Sequence, residues 1–265
     1  MSRGTTLSGA RVLITGGTRG IGRLLAAGAV ERGAEVTVWA RNPELGAQVA
    51  DELGVRFLAV DVADAAAVAE AAQETGSIDV LVNNAGVIAG KPFVQLTEDE
   101  IRRTYEINAL APYWTTQAFL PGMLERNQGL VVNLASAAGL IGTTRMTDYS
   151  GTKHAMVGFT EALRAELRAQ RSAVRTLVVC PFYISTGMFD GVQTRVPWLL
   201  PILKPEDVAT KTLDAIERGA AKLVMPWSVN LLPVARVLPV PVFDAVVDFL
   251  GVNHTMDHFT GHRDQ

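Results

Sequence analysis

Short β-branched runs alternate with alanine-rich helical stretches along nearly the whole chain, and few folds accept that pattern. The runs fall at Arg11–Thr15, Glu35–Trp39, Val55–Asp61, Ile78–Asn83, Gly129–Ala135, Val174–Cys180 and Lys222–Met225. Helical patterns lie between them at Gly20–Arg32, Pro43–Leu53, Asp64–Thr75, Thr97–Arg126, Thr147–Gln170 and Pro205–Arg218. The strand runs are apolar on both faces, so helices must cover both sides of the sheet. Strict alternation with right-handed crossovers predicts an α/β, doubly wound, seven-stranded parallel sheet with helices on both faces. No Gly/Ser linker, charge block or repeat divides the 265 residues, so one domain over 1–265 is expected.

Composition narrows the possible partners. A formal charge of −3 supplies no basic field for nucleic acid. A single cysteine, Cys180, excludes an internal disulfide framework and fits a reducing compartment. Met1–Ala10 is polar and lacks the apolar core of a signal peptide. The longest apolar candidate, Leu223–Leu250, is interrupted by Asn230, Arg236, Asp244, Asp248 and four prolines. It falls short of the ~18–20 apolar residues of a membrane helix, so the expectation is a cytoplasmic protein with no transmembrane segment.

Two segments break the alternation. Gly187–Lys204 carries Met188, Phe189, Trp198, Leu199, Leu200, Ile202 and Leu203 without a clear period. It follows the sixth strand, where the carboxyl ends of a parallel sheet open onto a ligand crevice, and reads as a packed loop or a substrate lid. The proline-studded C-terminal segment, about 223–265, is more apolar than a solvated tail. It must be buried against its own core, a partner subunit or a lipid. The lid and this segment together are expected to wall the reaction site with apolar side chains.

The first strand runs directly into Thr15-Gly16-Gly17-Thr18-Arg19-Gly20-Ile21-Gly22 and then a helix. Glycines allow a sharp turn and a close backbone approach to a pyrophosphate, which meets free N–H groups at the helix start. At the end of the second strand the chain reads Ala40-Arg41, with no acid to accept from a ribose hydroxyl. Arg41, with Arg19 from the glycine loop, suits a 2′-phosphate through charge-assisted hydrogen bonds. The alternative is that both arginines are solvated surface. Asp61-Val62 closes the third strand and Asn83-Asn84-Ala85-Gly86 the fourth, each at the same sheet edge.

Tyr149 and Lys153 stand four apart in a helical stretch and project from one face. Ser136 follows the fifth strand, and Asn108 lies within Thr97–Arg126. In identity and order, the Gly16-x3-Gly20-x-Gly22 spacing, the Asn-Asn-Ala-Gly turn and these four residues resemble the short-chain dehydrogenase/reductase family over roughly Arg11–Thr186. The resemblance implies a Rossmann-type fold and hydride transfer between a carbonyl and an alcohol. It implies Tyr149 as proton donor and acceptor, and Lys153 lowering its pKa while binding the nicotinamide ribose. Ser136 would orient the substrate oxygen, and Asn108 would support a water leading to Lys153. It implies dinucleotide contacts at Gly16, Thr18, Arg19, Gly20, Ile21, Arg41, Asp61, Val62, Asn84, Ala85, Gly86, Tyr149, Lys153, Pro181, Ile184 and Thr186. With the two arginines, the expected cofactor is NADP(H).

Phe182 departs from the glycine that most relatives place after this proline, so the local backbone path there is open. Cys180–Phe189, Asp248-Phe249-Leu250-Gly251 and Met256-Asp257-His258-Phe259 resemble the retinol and 17β-hydroxysteroid dehydrogenase-like branch, which implies a lipophilic substrate. Such relatives usually carry an N-terminal membrane segment, which Met1–Ala10 does not provide. His254, His258 and His262 recur every four residues, but Gly261 and the chain end argue for fraying, and no metal is expected. The apolar surfaces of the two long helices suit a homodimer or homotetramer, or burial beneath the sheet. A non-catalytic dinucleotide-binding protein would lack the tetrad, and a sugar epimerase would carry a longer C-terminal domain.

Overall fold

The structure is a computed structural model and describes residues 4–261. Seven parallel strands form one sheet in the order β3-β2-β1-β4-β5-β6-β7. They are β1 (Arg11–Thr15), β2 (Glu35–Ala40), β3 (Arg56–Ala59), β4 (Val80–Asn83), β5 (Leu130–Leu134), β6 (Arg175–Pro181) and β7 (Lys222–Met225). The period of two divides the strand side chains between two cores. Val12, Ile14, Val36, Val38, Val80 and Val82 pack on one face with α1 (Gly20–Glu31) and α7 (Pro205–Arg218). Leu13, Trp39, Leu81 and Val131 pack on the other with α3 (Ala65–Thr75), α5 (Ala111–Glu125) and α6 (Thr147–Ala169). The remaining early helix, α2 (Pro43–Leu53), is capped by Asn42, whose side chain accepts from Leu45 N.

The strand order reverses between β1 and β4, which are neighbours although three helices separate them in sequence. That switch point opens a crevice at the strands' carboxyl ends. At the opposite ends of the same pair, Arg11 grips Asp79 through two side-chain bonds, 2.8 and 3.0 Å. The carboxylate also accepts from Arg11 N at 3.0 Å, so the pair fixes both strand starts.

A chain of polar side chains crosses the middle of the sheet. Thr115 on α5 donates to Asn83 on β4 at 2.7 Å. Asn83 donates to Asn133 on β5, its register partner, and Asn133 to Thr160 on α6, each at 2.8 Å. All four residues are buried, and each amide finds a partner, as burial demands.

The expected helix over Thr97–Arg126 is divided. A capping box of Thr97 and Glu100 starts α4 (Glu98–Tyr105), a π-turn follows at Glu106–Leu110, and α5 begins at Ala111. Pro112 is the reason: it has no N–H to return to the Asn108 carbonyl, and its ring crowds that carbonyl.

After β6 the segment 187–204 has no helix or strand of its own, and Leu203 pairs only through a bridge to Ile184. Beyond β7 come a turn at Trp227–Leu231, α8 (Leu232–Ala235) and α9 (Val240–Phe249). The expected apolar wall is corrected in part, because Trp198 is 82% exposed and Ile202 is exposed as well. Leu200 is buried, and Leu199 and Leu203 are half-buried, because they pack inward together with Phe189, Val192 and Val196. Among the described residues no helix is long and apolar enough to cross a membrane. His254 bonds Asp257 at 3.0 Å, and His262 lies outside the described residues.

Candidate active site

A cleft of about 540 Å³ runs along the carboxyl edge of the sheet. At one end the glycine loop turns from β1 into α1, with Gly16 at φ +66° and Gly20 at φ +50°. The loop is held from below by the fourth strand's turn. Asn84 donates from Nδ2 to the Thr15 and Gly16 carbonyls at 2.9 and 3.1 Å. The Thr15 hydroxyl accepts from the Asn84 and Ala85 N–H groups, both at 3.1 Å. A Cβ on Gly22 would lie 2.3 Å from the Gly16 carbonyl oxygen, so the turn closes only around glycine.

All sixteen residues expected to touch a dinucleotide line this one cleft. Gly16, Thr18, Arg19, Gly20 and Ile21 come from the loop, and Asn84, Ala85 and Gly86 from the turn beside it. Arg19 and Arg41 are exposed at its rim, and among the described residues neither has an ion-pair partner. Asp61 is exposed just past β3, one carboxylate oxygen accepting from Ala63 N at 3.1 Å, and Val62 behind it is buried. Pro181, Ile184 and Thr186 line the far side, with Thr186 against the glycine loop. The substitution at Phe182 leaves the strand path intact: its N–H bonds Met225 O at 2.8 Å and its ring stands edge-on to Tyr183. The residues fit a dinucleotide, since the glycine cradle brings bare backbone and the α1 N-terminus to the cleft.

The other end of the cleft is lined by buried side chains. Ser136 caps a short 3₁₀ turn, accepting from Ala138 N at 3.1 Å. Tyr149 and Lys153, one turn apart on α6, share the buried wall. The Lys153 ammonium donates to the Leu134 carbonyl at 2.8 Å and lies 5.5 Å from the centre of the Tyr149 ring. Burial pushes Lys153 down to about 8, with Cys180 opposing the shift. Burial pushes the Tyr149 phenol up; the Ser136 hydroxyl opposes the rise and Tyr183 adds to it. Desolvation is the largest influence on the phenol in this structure, ahead of the Ser136 hydrogen bond that opposes it.

Asn108 stands apart from the cleft, fully buried in the π-turn. Its side chain accepts from Val87 N and donates to Val87 O, both at 2.8 Å, and it reaches Thr152 at 3.3 Å. It therefore pins the segment after β4. A Cβ on Gly86 would meet Asn108 Oδ1 at 3.4 Å and Lys153 Nζ at 3.7 Å, so the two groups flank the same glycine.

Phe189 is a site residue that sequence reasoning left within the lid. Its ring meets Tyr149 edge-on at 6.0 Å and Tyr183 at 5.1 Å. Tyr183 is fixed by its hydroxyl to Thr255 at 2.8 Å, so the C-terminal segment helps to set this aromatic group. Val229, Leu232, Phe243 and Val247 belong to the same apolar cluster as Tyr149.

The profile of the short chain dehydrogenase family matches residues 10–196, and the chain belongs to that family, the short-chain dehydrogenase/reductases. Within it the relatives include retinol dehydrogenases. The chain is 36% identical to epidermal retinol dehydrogenase 2 of Mus musculus, over 97% of this chain and 87% of that protein. It is 31% identical to retinol dehydrogenase 10 of Rattus norvegicus, over 98% of this chain and 87% of the relative. A short chain dehydrogenase from Burkholderia cenocepacia in complex with NADP superposes with TM-score 0.79 at 27% identity, covering 92% of this chain and 99% of the other. One from Burkholderia phymatum in complex with NAD gives 0.78 at 26%, covering 88% and 95%.

Proposed function

We propose that this protein is an NADP(H)-dependent oxidoreductase that interconverts a lipophilic ketone or aldehyde with its alcohol. The observation that carries the reading is the single cleft joining two unpaired arginine side chains at one end to Tyr149, Lys153 and Ser136 at the other. The bound dinucleotide supplies or accepts the hydride. The oxygen of the reacting carbon then gains or loses a proton, which Tyr149 exchanges. Ser136 holds that oxygen by its hydroxyl, and Lys153 keeps a positive charge beside the phenol as negative charge develops. Asn108 acts through position, holding Val87 and the turn that faces Lys153. The apolar cluster around Tyr149, and the retinol dehydrogenases among the relatives, support a substrate with a hydrocarbon body.

Arg19 and Arg41 support NADP(H) over NAD(H), each charged bond contributing ~1.5–3 kcal/mol and thus roughly tenfold to hundredfold. The test is steady-state turnover of a lipophilic ketone panel with NADPH and NADH. Expected are a preference for NADPH of at least about tenfold, its reversal in Ala40→Asp with Arg41→Ile, and loss of turnover with retained cofactor affinity in Tyr149→Phe. Equal efficiency with the two cofactors would overturn the cofactor assignment, and an active Tyr149→Phe protein the mechanism.

A further inference from the structure

Well beyond Phe189, the last residue to line the cleft, the C-terminal segment turns an unusual surface outward. From Trp227 to Phe243 the chain carries one charge, the cation Arg236. Every residue from Arg236 to Val242 is exposed, and all but Arg236 are apolar. Val234, Val237 and Val240 stand 71%, 84% and 71% exposed, and Phe249 at the end of α9 is 71% exposed. Monomeric proteins in water rarely leave such a run bare.

We propose that Leu231–Phe249 docks this protein on a phospholipid bilayer, with the valines among the acyl chains and Arg236 at the phosphate level. Three observations favour lipid over a second copy of the chain. A subunit interface covers one side of an element, at about 800 Å² per partner. Arg236–Val242 is bare along its whole length, which suits immersion in an apolar medium. Within the fully exposed stretch Arg236–Val242 the one charge is a cation, complementary to lipid phosphate, and its long stem can reach the headgroups. Exposed Trp227 precedes the run, and exposed Trp198 is brought to the same side where Ser228 donates to the Leu199 carbonyl at 2.6 Å, so both can serve as interfacial anchors; Arg195, 5.6 Å from the Phe249 ring, adds a second cation at the rim.

The carboxylates on this surface, Asp244 and Asp248, lie on α9 and are exposed. They oppose attraction to an anionic surface, so apolar insertion carries the binding and zwitterionic lipid suffices. The inner side of the same segment, Leu232, Phe243 and Val247, packs in the cluster with Tyr149. Docking would therefore set the mouth of the apolar cluster against the bilayer.

The test is flotation of the full chain with phosphatidylcholine vesicles, alone and with phosphatidylglycerol, without cofactor or substrate, so its outcome is independent of the proposed reaction. Expected are cofloating protein, a blue-shifted tryptophan emission and little dependence on salt. Val237→Asp with Val240→Asp should lower vesicle affinity at least about tenfold at an unchanged thermal midpoint. Should that pair fail to fold, Val237→Ser with Val240→Ser should still lower it severalfold. Absence of flotation, or flotation indifferent to a folded variant, would overturn the proposal. A dimer in lipid-free buffer that the same substitutions dissociate would assign the surface to a second copy and overturn it equally.

Discussion

Lys153 is held where an ammonium loses its water and gains one carbonyl, that of Leu134. Its pKa near 8, against an ordinary 10.5, has a consequence for stability. Below pH 8 the group is charged in both folded and unfolded chains, and the full burial cost is present. Between 8 and 10.5 the unfolded chain binds the proton more, so stability rises with pH; above 10.5 the cost is gone. Lys153→Met removes the charge, and the variant should exceed the native chain in stability by up to ~3 kcal/mol at pH 7. The gap should close by pH 10.5, as measured by urea unfolding across that range. A gap constant with pH would place the ammonium in water. Lysine carbon NMR should show one resonance titrating near 8.

At the scale of elements, the turn into α1 depends on missing side chains, and the tightest contact is at Gly22. Gly22→Ala would put a methyl 2.3 Å from a carbonyl oxygen and 2.5 Å from Asn84 Nδ2, atoms already fixed by the β1–β4 pairing. Overpacking of this kind costs ~1–3 kcal/mol, and the shift should also abolish dinucleotide binding. Calorimetry and cofactor titration on the variant check both. The glycine loop was legible because glycine spacing between a strand and a helix has few meanings. The strands were legible for a similar reason, with ends moving by a residue or two, as at Arg56–Ala59 against the expected Val55–Asp61. The break at Glu106–Leu110 was not legible from periodicity, since a π-turn displaces the apolar pattern by one residue without interrupting the helical stretch. Pro112 is the available sign, since proline inside a helical stretch signals a break or kink. Phe189 stayed hidden because a lid without a period gives no direction to its side chains, and only tertiary packing shows which of its apolar residues turn inward.

For the whole molecule, the lid divides its apolar residues between two destinations. Phe189 and Leu200 join the cluster at the site, and Trp198 and Ile202 face out. Catalytic efficiency along a series of 2-ketones should therefore rise with chain length, at ~0.8 kcal/mol or about fourfold per methylene, until the cleft is full. Phe189→Ala should move that limit to longer ketones, because the ring that meets Tyr149 edge-on occupies the space. A flat series in both proteins would mean that these residues serve packing alone.

The polar chain from Thr115 through Asn83 and Asn133 to Thr160 makes the sheet intolerant of a near miss. Apolar strands buried on both faces would accept a slipped alignment almost as readily as the correct one. With a slip between β4 and β5 the two asparagines would no longer meet, and each amide left buried without a partner would cost about 1–3 kcal/mol. The chain thus works as a proofreading mark in the middle of an otherwise featureless interface. It penalises any slip between the two strands whose carboxyl ends lead into Asn84 and Ser136.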